Sequence, residues 1–439
     1  MRLFYFVLKV TLQYAIRVYY PRLKKVNAPK QFYGRTIYVS NHAASFMDPL
    51  VIAVLQRPIV FFMTRSDVFN KKTNGILSSA HMLPIYREQD GEDTRQKNEE
   101  VFEKCSTILE GGRNLLIFGE GFTDDVFIRR LKPIKKGAAR IAFGALEACN
   151  WEKDIYMAAI GVNYANPGVM GSEVLVSNSE RFCLNDYREQ YEENPVKTII
   201  DVTRRIEQDL QDQLTHVKNK DWAPFHEAVC RLRRNGLNAM DTDYRIKFKQ
   251  RWKNSQALAT WINQQDLKGN QELIQLKEDL ESYFELLKQK GLEEHFVSEL
   301  DRTGKLEKKE LLLKLVILSP FVPFGLIQFY PLYRLIKNFV EKKFKRKVFW
   351  SSVKMVTGMI LMGFWGLILY GALDIFLIHS FLISFMAFLA SPLIGLIAYE
   401  WFKVLRLYQR KKSMDESSIQ EALPIRRALM ARMDEIIPR

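Results

Sequence analysis

A histidine and an aspartate stand close together in the stretch Tyr38-Val39-Ser40-Asn41-His42-Ala43-Ala44-Ser45-Phe46-Met47-Asp48-Pro49. An imidazole titrates near neutrality, so it can take a proton from a hydroxyl and return it later in the same reaction. A carboxylate on its second ring nitrogen would fix the tautomer and stabilise the imidazolium. Asp48 lies six positions after His42, which on one continuous helix would put the two on different sides. A turn between a strand and a helix is therefore needed to bring them together. Asp48-Pro49 reads as that helix start, with Asp48 expected as N-cap and Pro49 in the first turn. On this reading His42 is the catalytic base and Asp48 its orienting carboxylate.

Further candidates lie where other predicted strands end. Glu120 and Gly121 follow the apolar run Leu115 to Phe118. The glycine permits close backbone approach, and the glutamate can accept hydrogen bonds from substrate hydroxyls or organise a neighbouring base. An ion pair between Glu120 and Arg87 is the structural alternative. Lys135 and Lys136 stand at a predicted helix N-terminus, where free N–H groups and the helix dipole favour a phosphate; the alternative is a solvated basic patch.

These residues need an α/β scaffold, and residues 31–215 read as one. Short apolar runs alternate with helical stretches, predicting a largely parallel or mixed sheet. Strands are expected at Thr36 to Val39, Ile59 to Thr64, Leu115 to Phe118, Ile155 to Val162 and Val174 to Val176. Helices are expected at Thr94 to Glu110 and Lys136 to Ala148. Residues 1–30 hold an amphipathic, interface-seeking helix with Arg2, Lys9, Gln13 and Arg17 on one side.

Residues 216–306 are rich in Lys, Glu, Gln and Leu at helical spacing and read as an all-helical appendage. A membrane region follows at 307–405. It has uncharged runs at 355–373 and 380–399, long enough for two spans, and a proline-broken segment at 315–333 that reads as re-entrant. Lys and Arg crowd the flanks of these runs, which places the flanks and the α/β domain on the cytoplasmic face. The polar tail, 406–439, is expected to stay cytoplasmic and end in a short surface helix.

The net charge of +15 calls for a polyanionic neighbourhood. The long uncharged C-terminal runs favour an anionic membrane and argue against nucleic acid. Cys105, Cys149, Cys183 and Cys230 form no C-x-x-C pair, and the six histidines form no H-E-x-x-H motif. Neither a metal nor a redox cofactor is expected.

The stretch from Asn41 to Asp48 resembles the N-H-x-x-x-x-D signature of the phospholipid/glycerol acyltransferase family. Three later stretches follow in that family's order. His81-Met82-Leu83-Pro84-Ile85-Tyr86-Arg87 looks like the second motif, Ile117-Phe118-Gly119-Glu120-Gly121-Phe122-Thr123 like the F-P-E-G motif, and Ala159-Ile160-Gly161-Val162-Asn163-Tyr164 like the P-V motif. Leu131 to Arg140 is similar to the lysine-glycine helix start after the third motif. Four ordered matches are far more specific than any one.

The chain departs from the family in placing five residues between His42 and Asp48, Gly119 where proline is usual, Phe122-Thr123 where Thr-Arg or Thr-Ser is frequent, and Ala159 where the fourth motif has proline. The resemblance implies an O-acyltransferase of phospholipid biosynthesis that uses acyl-CoA or acyl carrier protein as co-substrate and needs no other cofactor. Lysophosphatidate is the favoured acceptor, with glycerol 3-phosphate or a lyso-aminolipid as alternatives. By their motif places, Asn41, Arg87, Glu120, Gly121, Thr123, Lys135 and Lys136 form the expected substrate-binding set, with Arg87 gripping phosphate through two parallel hydrogen bonds. A non-catalytic lipid-binding membrane protein is the rival reading.

Overall fold

The computed structural model describes residues 2–28, 34–56, 59–71, 73–86, 94–238, 240–414 and 416–438. It divides into two compact units, residues 1–220 and 221–439.

The first unit is α/β. In chain order it comprises α1 (Arg2–Tyr19), β1 (Arg22–Val26), β2 (Thr36–Ser40), α2 (Met47–Leu55), β3 (Val60–Arg65), α3 (Asn74–Ser79), β4 (Met82–Ile85), α4 (Thr94–Glu110) and β5 (Asn114–Phe118). There follow α5 (Gly137–Ala148), β6 (Tyr156–Tyr164), β7 (Glu173–Asn178), β8 (Phe182–Cys183), α6 (Arg188–Glu193) and α7 (Pro195–Asp212). Among the described residues the strands form one sheet in the order β1-β7-β6-β2-β5-β3-β4, with β8 also pairing β6. All pairings are parallel except those of β6 with β7 and β8.

β2 lies at the centre of this mixed sheet, and its five residues are all buried. Ile37 and Val39 face α4, α5 and α7 together with Leu115, Ile117, Met157 and Ala159. The alternate residues Tyr38, Leu116, Ala158 and Ile160 are equally buried, so both faces are covered. Ser40 pairs with Phe118 on one side and Ile160 on the other. The residues that follow β2 and β5 therefore leave the sheet at one edge, which β6 also reaches. Open α/β sheets bind ligands at such carboxyl ends. Close packing continues at Gly161, where a Cβ would stand 2.4 Å from the carbonyl oxygen of Gln213 just beyond α7.

Three local expectations need correction. Asp48 is not the N-cap of α2; Phe46 is, and Asp48 lies in the first turn with its side chain turned backwards. Lys9 does not face outward from α1; its Nζ donates to the carbonyl of Gln56 at 3.2 Å, and Lys25 donates to Gln56 Oε1 at 3.0 Å. Two cations thus meet the C-terminal end of α2, where the helix dipole favours positive charge. Finally, β1 and β4 are edge strands. The sequence RLKKV of β1 and Pro84 within β4 gave no strand signal, although charges and proline are common at sheet edges.

The second unit is helical among the described residues: α8 (Ala223–Arg233), α9 (Phe248–Gln264), α10 (Gln271–Gln289), α11 (Glu294–Thr303), α12 (Lys309–Leu318), α13 (Val322–Lys343), α14 (Trp350–Leu373), α15 (Phe381–Ser413) and α16 (Glu416–Ile436). Three helical stretches are long and apolar enough to cross a membrane: Lys309–Lys343, Lys347–Ile378 and Phe381–Ser413. The prolines do not stop the first of them. Pro320 lies in a single 3-10 turn, Pro323 in the first turn of α13, and Pro331 inside that helix. Asp374 closes the turn between α14 and α15 by accepting from Ser380 N (2.8 Å) and Ser384 Oγ (2.9 Å).

The polar tail is not a short surface helix. α16 packs on α8, α10 and α11 through Ile419, Ala422, Leu429 and Met433. Between those residues Arg426 is buried, bonding Glu294 (2.7 Å), Asp301 (2.8 Å) and the carbonyl of Leu232 (3.3 Å). Glu294 also accepts from the Tyr283 hydroxyl. Removing one member of a buried ion pair strands the other. Arg426→Leu should therefore destabilise this unit by about 3–5 kcal/mol, whereas Arg427→Leu, at an exposed side chain, should change it by roughly 0–1 kcal/mol. Hydrogen exchange of α10 and α11 in the two variants measures the difference.

Candidate active site

The site begins where β2 ends. Asn41 continues the sheet with its side chain: its Nδ2 donates to the Val162 carbonyl (3.1 Å), and Val162 N donates to its Oδ1 (2.9 Å). The next amide, His42 N, donates to Glu120 Oε1 at 2.7 Å. His42 is thus fixed against both neighbouring strands before its ring makes any contact. Ser45, at φ 52°, then turns the chain back.

This turn brings Asp48 to the imidazole. Asp48 Oδ2 lies 3.0 Å from His42 Nδ1 and accepts from Ala44 N at 2.8 Å; Oδ1 accepts from the Tyr164 hydroxyl at 2.8 Å. Asp48 is fully buried, while the His42 side chain is 21% exposed. A carboxylate on Nδ1 makes that nitrogen the donor and leaves the lone pair on Nε2. The ring stacks on Phe118, with centroids 4.4 Å apart. Stacking and the Nδ1 bond together set its orientation.

Glu120 is buried, and its oxygens turn inward to His42 N, Lys132 N (3.4 Å) and Lys132 Nζ (3.5 Å). Burial raises its pKa above the ordinary carboxylate range, and the His42 amide and Lys132 partly counter this. At Gly119 an added Cβ would meet the Ile134 side chain at 2.8 Å, so Ile134 would have to shift. Gly121 has φ +75°, and a Cβ would stand 3.0 Å from Lys135 Cε and Nζ, so the Lys135 chain runs over this glycine. Lys135 and Lys136 are exposed just before α5, and Thr123 is buried in the loop beyond Gly121.

Arg87 lies outside the described residues. Its neighbour Tyr86 is held by Asn98 of α4, which accepts from Tyr86 N (3.1 Å) and donates to Tyr86 O (2.8 Å). Of the sequence-derived set, the structure brings His42, Asp48 and Glu120 into one hydrogen-bonded group, joins Asn41 to β6, and leaves the two lysines at the rim. Among the described residues no three His, Cys, Asp or Glu side chains gather as a metal site.

Sequence reasoning missed Tyr164 and Arg129. Tyr164 is fully buried; burial and the nearby Asp48 charge push its phenol well above the usual range, so it remains a donor. Arg129 holds the backbone there, donating to Tyr164 O (2.7 Å) and Ala165 O (3.2 Å). Val217 N in turn donates to Arg129 O (2.9 Å), and His216 Nδ1 accepts from Leu131 N (2.9 Å). Burial, with Lys218 and Arg130, lowers the His216 pKa to about 4, which keeps that ring neutral as an acceptor. The only advance signal was that Tyr164 ends the stretch resembling the P-V motif, two residues beyond the predicted strand.

Replacing Tyr164 with Phe keeps the ring but leaves Asp48 Oδ1 without this donor. We expect a stability loss of about 1–3 kcal/mol. The turnover of any reaction that uses His42 as base should fall about tenfold, equivalent to ~1.4 kcal/mol, with substrate KM unchanged and a shifted pH profile. Unaltered kcat and pH profile would make Tyr164 a packing residue alone.

A comparison with curated proteins finds no match. The model of one family, described as Acyltransferase, matches residues 19–163, about a third of the chain. That stretch holds His42, Asp48 and Glu120, and it ends one residue before Tyr164. Residues 19–163 are therefore an acyltransferase domain of the phospholipid/glycerol acyltransferase family.

Proposed function

We propose that this acyltransferase moves a fatty acyl group from an acyl-CoA or acyl carrier protein thioester to the free hydroxyl of lysophosphatidate. The observation that carries the mechanism is the buried Asp48 on Nδ1 of a partly exposed His42. As the acceptor oxygen forms its bond to the thioester carbonyl carbon, His42 Nε2 takes the hydroxyl proton. The tetrahedral intermediate expels the thiolate, and the imidazolium returns the proton to sulfur. The products are an ester and a free thiol, and the chemistry asks for no group beyond the two substrates. Asp48 stabilises the imidazolium between the two proton transfers. Binding both substrates at one sheet edge supplies proximity.

The exposed Lys135 and Lys136 support a phosphorylated acceptor, since cations before a helix N-terminus suit a phosphate. Arg87 would add bidentate recognition. Purified protein in detergent, offered labelled thioesters with lysophosphatidate, glycerol 3-phosphate and lyso-aminolipids in turn, tests the assignment. We expect transfer to lysophosphatidate, and loss of about 10²–10⁴-fold in kcat for His42→Ala and Asp48→Asn with folding intact. Wild-type turnover by His42→Ala would overturn the mechanism. Arg87→Lys should raise acceptor KM and leave donor KM unchanged; no acceptor among the three being acylated would favour a non-catalytic lipid binder.

For topology we propose that the 315–333 segment is re-entrant, that residues 374–379 face the far compartment, and that the acyltransferase domain lies on the cytoplasmic face. Two contacts support the re-entrant course. Trp401 donates to Leu315 O (3.0 Å), and Lys354 pairs with Glu341 (2.6 Å), so both ends of the Lys309–Lys343 run meet the basic ends of the α14–α15 hairpin, away from Asp374. In a cysteine-free background, an impermeant thiol reagent outside sealed cells should label Phe376→Cys and Ile378→Cys but not Lys345→Cys or Arg410→Cys. Labelling of Lys345→Cys alone among the basic flanks would mean that Lys309–Lys343 crosses fully.

A further inference from the structure

The loop that follows Glu120 carries three apolar side chains outward. Phe122, Val126 and Ile128 are 55%, 70% and 36% exposed. The alternate residues turn inward: the Phe127 ring meets Tyr164 edge-on at 6.5 Å, and Arg129 bonds the backbone of Tyr164 and Ala165. Both ends of the loop are braced. Lys132 holds Phe122 O (2.9 Å) and Asp124 (3.1 Å), and residues 216–217 hold 129–131. The loop therefore presents an apolar tip outward and is braced through Lys132 to Glu120, the partner of the His42 amide. Around its base Arg130, Lys135, Lys136 and Arg140 are exposed, against the loop carboxylates Asp124, paired with Lys132, and Asp125.

We propose that this loop is a bilayer contact of the acyltransferase domain, with Val126 and Ile128 in the headgroup–acyl boundary of an anionic membrane and the surrounding cations against its phosphates. Apolar side chains rimmed by basic residues are the combination that such a boundary rewards. The same chain carries three long apolar helices, so the domain is covalently tethered where a membrane surface is within reach. Because the loop is pinned to Tyr164 and Glu120, which hold Asp48 and His42, its insertion would fix the height of the imidazole above the lipid. A single-chain lipid could then present its hydroxyl to His42 without leaving the bilayer. The contact itself does not depend on the proposed acceptor; this last consequence rests on that reading.

The test is a depth measurement on the full chain. Val126→Cys, in a background with Cys105, Cys149, Cys183 and Cys230 replaced, is spin-labelled and reconstituted in nanodiscs of phosphatidylcholine with phosphatidylglycerol. Collision with oxygen should exceed collision with a water-soluble nickel chelate, as for a label at Phe364→Cys in α14 and unlike one at Glu189→Cys in α6. Nickel access at position 126 equal to that at position 189 overturns the proposal. So does a label shielded from both reagents, which would mean that protein covers the loop. In activity, Val126→Asp with Ile128→Asp should raise KM for bilayer-embedded lysolipid about fivefold or more and leave turnover of a short-chain, monomeric lysolipid unchanged. An equal effect on both substrates also overturns it. If no acceptor is acylated by the wild type, the functional reading fails while the depth result still decides the contact.

Discussion

A carboxylate taken wholly out of water is tolerable only if its oxygens find donors, because the charged form loses its hydration. Asp48 meets this condition with three donors from three places in the chain: the His42 ring, the Ala44 amide and the Tyr164 hydroxyl. The fold of the catalytic edge follows from that requirement. The chain must turn back within six residues of β2, the first turn of α2 must lie under that turn, and β6 must run long enough to deliver a phenol. The carboxylate that needs satisfying is the same one that orients the His42 ring.

The backbone of His42 is held as firmly as its ring. Asn41 is bonded twice to Val162, and the His42 amide is bonded to Glu120, so the residue is anchored to strands on both sides. The general reason is geometric. A base works only within hydrogen-bond reach of the proton it removes, and small displacements are costly in rate. Glu120 shows how one side chain ties separate segments together, with its oxygens turned to His42 and Lys132 behind a glycine on each side. The rim beyond this rigid edge is different, with exposed lysines and an apolar-tipped loop facing outward.

The helical unit follows the same rule about buried charge. Arg426 and Glu294 satisfy one another with help from Asp301, Tyr283 and a main-chain carbonyl, and they join the last helix to α11. Lys411, near the end of the long apolar α15, is likewise buried against Glu299 and the carbonyl of Glu307. The long apolar stretches and the water-soluble helices are therefore bound by ionic contacts within one compact unit, so the polar tail is part of its core.

By itself the sequence determined the parts whose signals are local. The period-2 and continuous apolar runs located β2, β3, β5, β6 and β7, because residues buried on both faces must be apolar wherever they pair. The helices α4 and α5 of the α/β unit and the apolar C-terminal stretches were legible for the same reason, and the spacing of His42 and Asp48 demanded a turn that the structure contains. The tertiary structure decided what depends on partners distant in the chain. The role of Tyr164 is set by a residue 116 positions away. The burial of Arg426 is set by Glu294 and Asp301, and the inward course of Lys9 by the C-terminal end of a helix that forms later in the chain. Those side chains look solvent-bound in isolation, because only the fold supplies the opposite charges and open carbonyls that make burying them favourable.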